Sequence, residues 1–141
     1  MFEQASVSET SANKLIDLLN NEPKLSPTLL GYKGSTLALQ AKYTINPIKK
    51  LKYFNDGKSL LEKAIINDPQ NIELRYLRLA IQTNIPTFLN YYKNIDSDKI
   101  LLLGAIKSRS ISDADLLKKI IHFLNQCKQI SPAEKNQLNT K

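Results

Sequence analysis

The sequence predicts an all-α protein of about six to seven helices stacked as antiparallel pairs. Apolar residues recur at steps of three and four along most of the chain, as expected for helices with one buried face. Only four glycines occur in 141 residues, too few turn residues for a β-sandwich of this length. A polar N-cap residue followed by proline, which favours the first helical position, occurs three times. These starts are Ser26-Pro27, Asn46-Pro47 and Ser131-Pro132.

The first two predicted helices lie in the N-terminal part of the chain. The first begins after an N-cap at Ser8 or Ser11, and its apolar pattern ends in the polar run at 20–23. The second begins at Pro27 and extends to about Thr44. Small and apolar residues recur along it at helical spacing: Leu30, Gly34, Leu37, Ala38, Ala41 and Ile45.

The third predicted helix is the longest and runs from Pro47 to Asn67. The pattern predicts that one face of it is apolar up to its end, through Ile48, Leu51, Phe54, Leu61, Ala64 and Ile65. Pro69 marks the turn that follows, and a fourth helix begins at Ile72 and ends before Pro86. Apolar residues on two adjacent faces of the fourth helix indicate that it is largely buried.

The rest of the chain predicts three more helices. After a short helical turn at 86–92, the acidic run at 96–98 is expected to cap a fifth helix. A sixth begins at Ser112 and carries an amphipathic stripe that includes Cys127. A short last helix begins at Pro132.

We expect these helices to form a single domain over residues 1–141, with a flexible N-terminus at 1–10. A chain of this length can bury a sizeable core. The short apolar runs at 65–66 and 100–103 are also compatible with buried strands, but each lies within a longer helical pattern. Cys127 is the only cysteine, so no disulfide within the chain supports the fold.

No apolar stretch is long enough to predict a transmembrane segment. The first twenty residues also lack the basic start and apolar run of a secretory signal. The expected location depends on the native start of the chain. It is cytoplasmic if Met1 is the native first residue, and periplasmic or exported if an N-terminal signal has been removed.

Positive charge is concentrated in the middle of the chain. The net charge is +7, and residues 33–63 contain seven lysines against two acidic residues, whereas residues 1–32 contain two lysines against four. Such a region suits an anionic partner, although lysines also simply solvate helices and arginine, the better phosphate ligand, is scarce. A basic helical domain that binds nucleic acid or anionic lipid through residues 33–63 is therefore the alternative prediction.

Gly57, Leu61 and Ala64, followed by Pro69, resemble the second helix of a tetratricopeptide repeat. The region 29–94 is similar to an uncharacterised family of tetratricopeptide-like proteins from Gram-negative bacteria. That similarity rests on the segments Leu30-Gly31-Tyr32-Lys33-Gly34, Asn46-Pro47, Phe54-Asn55-Asp56-Gly57 and Glu73-Leu74-Arg75-Tyr76-Leu77-Arg78. The resemblance implies a bacterial protein with a stacked, solenoid-like helical fold, and it leaves the function open.

We predict that the protein is a non-enzymatic module that binds a protein or peptide partner. Tyrosine, which combines apolar area with a hydrogen-bonding tip, supplies six of the ten aromatic residues. If the second, third and fourth helices pack as neighbours, they present tyrosines and cations on one face. The candidate partner-binding residues are Tyr32, Lys33, Lys42, Tyr53, Arg75 and Arg78. A buried arginine among them would need a carboxylate, such as Asp56, Asp68 or Glu73, or a set of carbonyl oxygens.

The sequence predicts no catalytic, cofactor-binding or metal-binding residues. The stretch 31–36 superficially resembles a phosphate loop but lacks a lysine after its last glycine and a strand before it, so its glycines are expected to allow close helix packing. His122 has no second ligand at metal-binding spacing. Cys127 lies on an apolar stripe, which predicts an inert core thiol. We therefore predict that the protein is not an enzyme.

Overall fold

The computed structural model describes residues 2–139, which form eight α-helices and contain no β-strand. The all-α prediction is therefore confirmed, including for the two apolar runs at 65–66 and 100–103, which are helical. The helices are α1 (Phe2–Ala5), α2 (Glu9–Asn20), α3 (Pro27–Gln40), α4 (Pro47–Asn67), α5 (Ile72–Gln82), α6 (Ile95–Lys107), α7 (Ala114–Gln126) and α8 (Pro132–Asn136). Short 3₁₀ turns lie at Ala41–Tyr43, Thr87–Leu89 and Gln137–Asn139.

The three predicted cap-and-proline starts are confirmed as the beginnings of α3, α4 and α8. The Ser26 hydroxyl accepts a backbone N–H of the first turn at 3.2 Å, and Asn46 Oδ1 accepts two, at 3.0 and 3.3 Å. Ser131 forms a reciprocal capping box with Glu134. Each cap satisfies N–H groups that the helix itself leaves without a partner, which fixes where the helix begins.

The expected cap of the fifth helix is wrong. The helix, α6, already begins at Ile95, and its N-cap residue Asn94 makes no side-chain capping bond. Asp98 lies inside α6 and is fully buried. A buried carboxylate without hydrogen-bond partners costs more free energy than an exposed helix end without a cap, because water can satisfy the N–H groups of an exposed helix end.

The chain divides into two compact units, residues 1–74 and 75–141, and the boundary falls within α5. In the first unit, α3 and α4 form an antiparallel pair. A Cβ atom placed on Gly34 would lie 2.6 Å from the backbone oxygen of Gly57, and one placed on Gly31 would lie 3.6 Å from the Leu61 side chain. Residue numbers therefore rise along α3 as they fall along α4, and the two backbones touch where both residues lack a side chain.

The N-terminal helices of the first unit pack on a small apolar cluster. Its buried members are Ala5, Ala12, Leu15 and Leu19. The segment 1–10, which is expected from the sequence to be flexible, includes α1. In this helix Ala5 is fully buried, and its carbonyl oxygen accepts a hydrogen bond from the Tyr43 hydroxyl at 2.8 Å. The Phe2 and Tyr32 rings meet edge to face with centroids 5.6 Å apart, which joins α1 to α3.

The second unit contains the rest of α5 together with α6, α7 and α8. Tyr76 and Phe123 meet edge to face at 5.6 Å, which joins α5 to α7. Lys99 of α6 lies 3.3 Å from the Glu134 carboxylate of α8. Leu102, Ile120 and Leu124 are fully buried and give this unit an aliphatic core. Among residues 2–139, no helix is both long enough and apolar enough to cross a bilayer.

Candidate partner-binding surface

The two arginines of the predicted partner-binding face belong to the second unit and converge on Asp98. Arg78 donates from Nε to Asp98 Oδ2 at 2.7 Å and from Nη2 to Oδ1 at 2.8 Å. Arg75 donates from Nη1 to Oδ1 at 2.8 Å. The Asp98 side chain is 0% exposed and that of Arg78 only 5%. This cluster joins α5 to α6 through a bidentate ion pair with a second arginine bound to it.

Both arginines therefore bind Asp98, a carboxylate that was not among the candidates Asp56, Asp68 and Glu73. The sequence contains an indication that Asp98 is buried and needs a cation. Asp98 lies one helical turn before Leu102, so a charged residue occupies the buried stripe of α6. A carboxylate on such a stripe requires a buried cation or several N–H donors nearby.

The other four residues of the predicted face belong to the first unit. The Tyr32 hydroxyl donates to the Glu73 carboxylate. The Lys42 ammonium donates to the Ser6 carbonyl oxygen and lies 5.2 Å from the centroid of the Tyr43 ring. Lys33 and Tyr53 are half-buried. That these six residues form one binding face stays a prediction. Tyr32 and Lys42 already have hydrogen-bond partners within the first unit.

The start of α4 differs from the sequence prediction. Ile48 and Leu51 were expected on the apolar face of this helix, but their side chains are 81% and 52% exposed. Ile45, expected on the apolar pattern of the preceding helix, is 98% exposed. The rest of the predicted α4 face is buried as expected, namely Phe54, Leu61, Ala64 and Ile65.

The antiparallel contact with α3 explains this exposure. Gln40, the last residue of α3, lies six positions after Gly34, and the residue six positions before Gly57 is Leu51. Residues before Leu51 therefore have no α3 residue opposite them. All eight residues from 45 to 52 are exposed. We call residues 45–52 the 45–52 segment.

The 45–52 segment is also basic. It carries Lys49, Lys50 and Lys52, and the surrounding stretch from 23 to 55 contains six lysines and no acidic residue. Lys52 pairs with Asp56 at 2.8 Å on the next turn. The hydrogen bond and the charge of that carboxylate raise the pKa of Lys52, so this ammonium is fully charged at neutral pH.

The other residues considered from the sequence are the two glycines of the 31–36 stretch, His122 and Cys127. Gly31 and Gly34 are inside α3 and face Leu74 and Gly57, which confirms the close-packing interpretation of the 31–36 stretch. His122 is exposed on α7, and the buried Cys127 thiol lies 3.2 Å from the Gln129 side-chain oxygen. Within residues 2–139, no group of three His, Cys, Asp or Glu side chains could hold a metal ion.

The 45–52 segment thus offers a partner three aliphatic side chains and the ammonium groups of Lys49 and Lys50, while Lys52 is paired with Asp56. It contains no histidine, cysteine, serine or carboxylate that could act as a nucleophile or a general base. Comparison of the chain with protein-family models, with curated proteins and with solved structures finds no match.

Proposed function

We propose that the protein is a non-enzymatic interaction module, in which a tetratricopeptide-like stack of antiparallel helices presents the 45–52 segment to an anionic partner. One observation carries this proposal: Ile45, Ile48 and Leu51 are exposed together beside three lysines. Burying one aliphatic side chain of this size is worth about 1.5–3 kcal/mol. A cluster of such side chains left in water marks an interaction site.

The stacked scaffold is proposed on the geometry of the first unit. The α3/α4 pair is antiparallel with a short connection, and α5 begins after a turn marked by Pro69. The beginning of α5 lies beside α3, where Asn71 donates to the Thr28 hydroxyl at 2.8 Å. Consecutive helices that pack side by side are the building units of solenoid proteins.

The anionic character of the partner is proposed on charge. Asp98 partly neutralises Arg75 and Arg78, the two arginines of the partner-binding face predicted from sequence. We therefore propose the 45–52 segment as the contact surface. Lys49 and Lys50 are exposed there, and no acidic residue lies within the segment. A protein partner, as predicted from sequence, would then have to present an acidic surface.

The proposal is tested by measuring binding to three anionic probes at low and high salt. The probes are a glutamate-rich peptide, a single-stranded oligonucleotide and vesicles that contain phosphatidylglycerol. A K49E/K50E/K52E variant should lose binding to the probe that the native chain binds, and high salt should weaken the native binding.

The matched control is a K107E/K118E/K128E variant, which changes the net charge equally at three exposed lysines of the second unit. It should retain binding. If no probe binds even at low salt, or if both variants lose binding to the same extent, the 45–52 segment is not the contact surface.

A further inference from the structure

We infer that the anionic partner of the 45–52 segment is a lipid bilayer surface, against which the exposed start of α4 lies with its aliphatic side chains below the headgroups. This inference rests on the proposed function and names its partner.

The composition of the segment is that of a membrane-surface helix. Protein interfaces are enriched in Tyr, Trp and Arg and depleted in Lys. The 45–52 segment has none of the first three and has three lysines beside three aliphatic residues. Lysine stems can lie along apolar surface while their ammonium groups reach lipid phosphates. The same residues serve a bilayer better than they serve a protein surface.

The exposure of the segment also favours a bilayer. All eight residues are exposed, and the α4 residues before Leu51 lie beyond the end of α3. Surface-binding helices place their apolar side chains about 5–10 Å into the headgroup region, which requires that these side chains are not buried against their own protein. A nucleic acid would contact the ammonium groups but would give Ile45, at 98% exposure, no apolar environment.

The spacing of the side chains also favours a bilayer surface. Ile48, Leu51 and Lys52 are three and four positions apart, so they share one face of α4. Ile45 immediately precedes the helix, whose first residue is Pro47. An aliphatic face with a lysine beside it matches a boundary between acyl chains and phosphates.

The absence of tryptophan from the chain provides a clean optical test. An Ile48→Trp variant should show a blue-shifted emission with vesicles that contain phosphatidylglycerol and no shift with phosphatidylcholine alone. The matched control is Ile100→Trp, because Ile100 is also exposed, at 68%, but lies on α6 outside the segment. This control should show no shift with either vesicle.

Two further variants separate insertion from charge attraction. Ile48→Ser with Leu51→Ser should weaken vesicle binding by about tenfold per residue. Lys49→Ser with Lys50→Ser should weaken it by about fivefold per lysine. Because these side chains are exposed, each variant should keep the native thermal midpoint, which confirms that the fold is intact.

The outcomes distinguish the two proposals. Vesicle binding that is unchanged in the Ile48→Ser/Leu51→Ser variant would overturn the lipid inference. So would the lack of a blue shift in a chain that still binds the oligonucleotide or the acidic peptide, although the proposed function would then stand. A chain that binds none of the three probes would overturn both.

Discussion

The two units join their helices by opposite means. In the first unit, α3 and α4 touch where Gly34 and Gly57 meet, and the contact depends on the absence of side chains. In the second unit, α5 and α6 are joined where Arg75 and Arg78 surround a fully buried Asp98. One contact is determined by shape and the other by charge.

This difference predicts different sensitivities. A backbone contact between glycines tolerates no added atom but carries no titratable group, so pH and salt should affect it little. A buried ion pair tolerates changes of shape at its edge but requires that every charge keep its partner. Substitutions that alter size should therefore act mainly on the first unit, and those that alter charge mainly on the second.

The largest effect is expected from Asp98→Asn. The substitution keeps the shape of the side chain but leaves the Arg78 guanidinium buried without its carboxylate. Breaking a buried pair on one side should lower the free energy of unfolding by about 4 kcal/mol. Chemical denaturation measures this change, and a loss below about 1 kcal/mol would show that the cluster is more hydrated than its burial indicates.

A paired substitution controls for the loss of the native side chain. In Asp98→Leu/Arg78→Met both members of the bidentate pair are replaced by apolar groups, and only Arg75, whose side chain is 17% exposed, loses its contact with Asp98. This double variant should be more stable than Asp98→Asn, because replacing an ion pair with apolar side chains is often close to neutral. The reverse order of stability would contradict the charge argument.

The next largest effect is expected from Gly34→Ala in the first unit. The new methyl group would lie 2.6 Å from the Gly57 oxygen and 2.7 Å from the Leu61 nitrogen, and neither backbone atom can move without shifting α4. We expect a net loss of about 2 kcal/mol, since overpacking outweighs the gain in helix propensity. Hydrogen exchange of the α3 and α4 amides would localise the effect.

Gly104→Ala is the matched control for this prediction. Gly104 is exposed on α6, and an added Cβ would meet nothing within 4 Å. The substitution should raise stability by about 1 kcal/mol, because alanine favours a helix more than glycine does. If both variants lost stability, the effect at Gly34 could not be assigned to the contact with Gly57.

A smaller effect separates the two arginines of the second unit. Arg78 binds Asp98 through two nitrogens, whereas Arg75 binds through Nη1 and its side chain is 17% exposed. Lysine cannot reproduce a bidentate fork. Arg78→Lys should therefore lower the free energy of unfolding by about 1.5 kcal/mol and Arg75→Lys by less than about 1 kcal/mol. Equal losses would mean that the fork geometry contributes nothing.

The sequence patterns predicted where helices begin better than which residues of a helix are buried against a neighbour. Caps and prolines are local signals, so the starts of α3, α4 and α8 could be predicted from adjacent residues. Which part of a helix meets a neighbour depends on where that neighbour ends. The exposed Ile48 and Leu51 continue the apolar pattern of α4, but α3 ends opposite Leu51 and does not reach Ile48.

The same limit applies to the candidate site. Arg75 and Arg78 could be identified as cations that require a carboxylate if buried, but Asp98 lies 20 residues from Arg78 in the chain. Pairing over that separation follows from tertiary packing, which spacing alone does not give. The 45–52 segment lies within the basic region predicted from sequence, but the exposure of its aliphatic side chains depends on where α3 ends, which the local pattern of α4 does not contain.

The smallest predicted effect concerns acid sensitivity in the second unit. The Glu134 carboxylate accepts the Ser131 N–H at 2.9 Å and lies near the Lys99 ammonium, and these contacts lower its pKa below the ordinary value of 4.5. A carboxyl whose pKa is lower in the folded state stabilises the fold above pH 4.5 and loses this contribution as the pH falls through the lowered pKa. Glu134→Gln keeps an acceptor for the capping box and removes only the charge. The native chain should be slightly more stable than this variant at neutral pH, and urea denaturation should show the difference disappearing as the pH falls through the lowered pKa of Glu134. A difference that does not change with pH would mean that the charge of Glu134 is not what stabilises the start of α8.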